Sequence, residues 1–137
     1  MNKKIIIFIS VILLILSIII IILNIISLSK VLERQTYYAS IIVADYGGFD
    51  VNGTAFTFGG VPLGSSSERK LSVKNGYDFP IVVNIIPRNG MEQFIQGRQE
   101  IIFQGQERNI SIVATVPAGM EKKKYEGEIV VEIKVAK

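Results

Sequence analysis

The sequence predicts an all-β domain, a seven-stranded β-sandwich, standing behind one N-terminal transmembrane α-helix, and three observations carry that prediction. Ile5 to Ile26 form a run of 22 residues without a single charge. Beyond Gln35 the apolar period changes from helical to alternating, and β-branched and aromatic residues take over. Turn residues then punctuate the chain at short intervals with no amphipathic helix between them, which favours packed antiparallel sheets with Greek-key connections over βαβ units.

The apolar run is interrupted only by Ser10, Ser17 and Asn24. At 1.5 Å per residue it reaches about 33 Å, enough to cross a hydrocarbon core. A cleaved secretory signal is the competing reading, since Ser27-Leu28-Ser29 follows the run, but a signal core is about 7 to 15 residues long, so an uncleaved signal-anchor over 5–27 is expected. Lys3 and Lys4 hold residues 1–4 as a cytoplasmic tail, which leaves the remainder extracytoplasmic. Leu28, Val31 and Leu32 keep helical spacing, and the expectation is a helical stalk over 28–36 leading to a domain over 37–137.

Within that domain the first strand is expected over Tyr38–Asp45, ended by Gly47-Gly48, and a short second one over Ala55–Phe58. Arg69–Lys74 follows, closed by Asn75-Gly76, then Pro80–Ile86, ended by Pro87, and Glu100–Phe103. The last two alternate most clearly: Ile110, Ile112, Ala114 and Val116 share one face, and Ile129, Val131, Ile133 and Val135 another. Their opposite faces, with Asn109, Ser111 and Thr115, then Glu128, Glu132 and Lys134, are expected to be wet.

Phe56-Thr57-Phe58-Gly59-Gly60-Val61-Pro62-Leu63-Gly64 followed by Arg69-Lys70-Leu71-Ser72-Val73-Lys74-Asn75 resembles the Phe-Gly-x-Val-x-x-Gly and Leu-x-Val-x-Asn signature of immunoglobulin-like domains of the ASH and major-sperm-protein type. Val116-Pro117 and Tyr125 to Val131 are similar to the closing hairpin of such domains in small membrane-anchored archaeal and bacterial surface proteins. The resemblance covers most of 37–137. It implies an immunoglobulin-like binding or scaffolding module, and it transfers no functional residue.

Composition narrows the chemistry. The chain has no His and no Cys, which removes imidazole bases, thiolate nucleophiles, zinc-finger ligands and disulfides, so an enzyme is not expected and no cofactor is implied. The net charge of +3 sits wholly in residues 1–34, and the 11 basic and 11 acidic groups beyond balance. With Lys122 to Lys124 the sole basic run, no nucleic acid partner is expected.

The candidate sites are few. Asn52 and Asn109 open Asn-x-Ser/Thr sequons and are glycosylation candidates on an exported domain. Ser10, Ser17 and Asn24, seven apart, fall on one slowly drifting helix stripe and are candidates for a helix-to-helix contact. Met91, Phe94 and Ile95 are apolar within a polar loop; they either tuck beneath a crossover or form a partner-binding tip. Asp45 and Asp50 flank a glycine turn that has oxygen ligands for Ca²⁺, though a plain turn explains them. Gly59, Gly60 and Gly64 lack the Gly-Lys-Ser/Thr of a phosphate loop, and Ser65 to Ser67 lack a base. The expected role is a membrane-anchored structural or interaction module at the cell surface, in contact with the lipid bilayer and with a protein partner or itself. The alternative is a stationary accessory subunit of an envelope machine, similar in layout to archaellum stator proteins.

Overall fold

Residues 2–27, 30–48 and 54–136 are described by the computed structural model, with the side chains of 26 and 27 left aside. They form two units, a helix and a strand-rich unit over Val31–Ala136. The helix, α1, spans Lys3–Ser27. The Asn2 carbonyl accepts its first bonds, from the amides of Ile5 at 2.8 Å and Ile6 at 3.2 Å. Isoleucine is a mediocre helix former in water, but in an apolar surrounding a helix satisfies every backbone group internally. Every described side chain of α1 is exposed, and the helix is long and apolar enough to cross a membrane.

Seven strands make up most of the second unit: β1 Val31–Val43, β2 Phe56–Val61, β3 Ser66–Lys74, β4 Ile81–Arg88, β5 Arg98–Ile102, β6 Glu107–Thr115 and β7 Lys124–Val135. Five form one sheet in the order β2-β1-β7-β4-β5, and β3 pairs with β6 in a second. All pairings are antiparallel except β1 with β2, where a register shift falls between Ser40 and Ile42. Inward residues of both sheets merge in one buried cluster, with Ile41 from β1, Phe58 from β2, Val83 from β4, Ile102 from β5, Ile112 from β6 and Ile129 from β7. The inner face of β6 is as the sequence predicts, with Ile110, Ile112 and Ala114 buried; on the expected wet face Asn109 and Thr115 are exposed and Ser111 is half-buried.

Three expectations are corrected. Of the expected stalk over 28–36, residues 31–36 are strand and not helix: Val31 already opens β1, which lies beside β7 with Gln35 opposite Val131 and Tyr37 opposite Ile129. Three apolar residues at helical spacing are a weak local signal, and the 12-residue β7 supplies backbone partners along almost all of β1. The domain therefore starts at 31 and not at 37. Pro87 does not end β4, because β5 pairs with β4 only as far as Ile85 and beyond it β4 has an open edge where a missing N–H breaks no ladder. Finally, the polar face of β7 is not uniformly wet, since Glu132 is 4% exposed. As an interior strand, β7 has Arg34 of β1 on one side of Glu132 and Asn84 of β4 on the other.

Candidate functional site

Among the described residues of the strand unit, three groupings of chemistry-bearing side chains stand out. The first is the row through Glu132. Arg34 Nε donates to Glu132 Oε1 at 2.8 Å, and Lys134 Nζ stands 3.1 Å from Oε2. The bond from Arg34 holds the Glu132 carboxyl below its ordinary value, against the opposing effect of desolvation, and Lys134 adds to the lowering. A carboxylate on the outer face of a sheet is thereby kept ionised under a cover of two cationic side chains.

The second is a cleft of about 280 Å³ between the early part of β1 and the end of β3. Leu71, Val73, Ile81, Val131 and Ile133 form its apolar wall, and Glu33, Gln35 and Tyr77 supply the polar groups. Tyr77 Oη donates to Glu33 Oε1 at 2.6 Å. That bond, with desolvation and the carboxylate's charge behind it, raises the phenol above its ordinary 10.0. The cleft thus offers one phenol already committed to a carboxylate, set beside an aliphatic wall. Nothing in the sequence marks this pair, whose members lie 44 residues apart.

The third is the basic run before β7. Lys122 pairs with Asp45, Lys123 with Glu121 at 2.6 Å and Lys124 with Glu126 at 2.6 Å. Hydrogen bonding to their partners raises Lys123 and Lys124 and lowers Glu121 and Glu126. Each lysine carries its own counter-charge, so the run offers no continuous cationic stripe to a polyanion.

The residues singled out from sequence are distributed as follows. Asn109 is exposed on β6, and the hydroxyl of Ser111 in the same sequon donates to Glu68. Asn52 and Asp50 lie outside the described residues. Asp45 is taken by Lys122, and among the described residues no group of three or more acidic side chains is placed to hold a metal ion. Ser10, Ser17 and Asn24 each donate back within α1, to the carbonyls of Ile6 at 2.9 Å, Leu14 at 2.8 Å and Ile20 at 2.8 Å. Met91, Phe94 and Ile95 are buried and belong to the core, so the partner-tip reading of this loop is corrected. A short 3-10 turn over Met91–Gln93 drives them inward, where the Phe94 ring meets Tyr125 edge-on at 5.0 Å.

Two structural residues went unmarked in that role. Gly60 lies against the segment 46–48, where an added Cβ would stand 3.0 Å from the Tyr46 carbonyl oxygen. Asn75, fully buried, donates to the carbonyls of Phe79 at 2.9 Å and Ile102 at 3.0 Å and accepts from the Tyr77 amide at 2.9 Å, tying two turns to β5. In comparisons with family models, with curated proteins and with solved structures, no match to this chain is found.

Proposed function

We propose that this chain is a single-pass membrane protein, with its N-terminus in the cytoplasm, whose strand unit is an immunoglobulin-like β-sandwich outside the cell membrane acting as a structural or interaction module. One observation carries the reading: from Ile5 onward α1 is uncharged and, but for Ser10, Ser17, Asn24 and Ser27, apolar, and its described side chains are exposed. A helix of that kind belongs in a protein core or in lipid. The pairing of every lysine in the 122–124 run supports a protein or lipid partner over a nucleic acid.

Protease added to intact cells or spheroplasts tests topology. The expected outcome is loss of the strand unit with a membrane-embedded fragment retained, and a fully protected strand unit overturns the orientation. Affinity capture from detergent-solubilised membranes then tests the role. Envelope-layer proteins or a second copy as partners support the surface module, whereas motor or secretion components replace it with the accessory-subunit reading.

A further inference from the structure

Four of the nine exposed large apolar or aromatic side chains of the described strand unit lie at the end where the chain arrives from α1. Register fixes which residues share that end: Val31 lies opposite Lys134, Val135 opposite Ile81, and Ile81 opposite Ile102. Phe103 follows directly, and its turn is bound to the next one through Gly105 N to Asn75 O at 3.1 Å and Asn75 N to Gln106 O at 2.8 Å. That second turn carries Tyr77 and Phe79, stacked with ring centroids 5.2 Å apart. Val135, Val31, Ile101 and Phe103 are exposed by 39%, 40%, 49% and 58%.

We infer that this end rests in the headgroup layer of the bilayer, with Phe103 and Ile101 as its inserting side chains. The inference rests on the membrane-anchor reading above and deepens it by assigning the lipid-facing surface of the strand unit. Only Leu28, Ser29 and Lys30 separate the end of α1 from β1, and extended chain covers at most about 3.6 Å per residue. With α1 embedded, Val31 is held within about 14 Å of the end of the helix, close to the interfacial zone. That zone is enriched in Tyr and Trp, of which this end carries Tyr77, and an apolar patch left in water there has lipid as its nearest cover. Described charges at this end are of both signs, with Lys30, Lys74, Arg108 and Lys134 against Glu33, Asp78 and Glu107. With only one basic group in excess, the contact is driven by apolar insertion more than by attraction to anionic lipid.

The chain contains no tryptophan, so a single introduced one reports its own surroundings. Full-length Phe103→Trp, Ile101→Trp and Tyr46→Trp are reconstituted in phosphatidylcholine vesicles with bromine on the upper acyl chain. Tyr46 follows the far end of β1 and serves as the control. Flotation of the vesicles first establishes that the chain is anchored. The expected result is blue-shifted emission and quenching by the brominated lipid for Trp at 103 and 101, with neither at 46. Co-floating protein in which all three behave alike overturns the inference and leaves the anchor intact. Failure to float overturns the anchor reading and this inference with it.

Discussion

Arg34 on β1 and Glu132 on β7 face each other across the sheet, and the guanidinium Nε of Arg34 donates to the Glu132 carboxylate at 2.8 Å. The folded state lowers the Glu132 pKa below its ordinary 4.5, chiefly through this bond. A depressed carboxyl pKa contributes stability that is complete above the unfolded value and fades as pH falls through the folded one. Thermal unfolding followed by circular dichroism should therefore show wild type losing stability as pH drops below about 4.5, with Glu132→Gln less stable at neutral pH and less steep in acid. Identical acid limbs would remove Glu132 from that response.

Gly127 sits where β7 passes the turn after β4, and an added Cβ would stand 2.6 Å from the Asn89 carbonyl oxygen and 2.8 Å from that of Arg88. Backbone oxygens cannot swing aside as a side chain can. Gly127→Ala is expected to cost roughly 2 to 3 kcal/mol by overpacking, read as a lower midpoint in chemical denaturation. A midpoint equal to wild type would show that the turn yields freely.

Asn75→Ala strips partners from two carbonyls and one amide around a fully buried position. The expected loss is about 2 to 4 kcal/mol, since the groups left behind are desolvated without a bond. Asn75→Asp should also destabilise, because a carboxylate faces the Phe79 and Ile102 oxygens. Tolerance of both changes would mean that water replaces the amide.

Phe94→Ala should lower stability by about 3 to 5 kcal/mol, the usual cost of deleting a buried aromatic ring. Phe103→Ala, at an exposed turn, should stay within about 0.5 kcal/mol in detergent. The contrast separates a core phenylalanine from a surface one. Comparable losses at the two sites would contradict their burial.

Asn109 points outward from β6, so Asn109→Gln is expected to change stability by less than about 0.5 kcal/mol. Intact-mass measurement of native material should show a glycan that this change removes. An unmodified Asn109 in exported protein would end its candidacy as a glycosylation site.

The helix and the inner face of β6 were legible because both depend on local order. A long uncharged apolar run satisfies its own backbone groups by forming a helix, and strict alternation at Ile110, Ile112 and Ala114 puts one side in the core whichever strand lies alongside. The start of β1, the burial of Glu132 and the joining of Glu33 to Tyr77 could not be read that way. Each depends on partners fixed only when the sheets assemble: Arg34 and Glu132 are 98 residues apart in sequence, and Val31 is a strand residue because Lys134 pairs with it. Met91, Phe94 and Ile95 show the same division, for their apolar character was plain, but only the 3-10 turn that directs them inward makes them core instead of surface. Local periodicity says which side chains avoid water; long-range backbone pairing decides what shields them, and that shielding is a property of the tertiary structure alone.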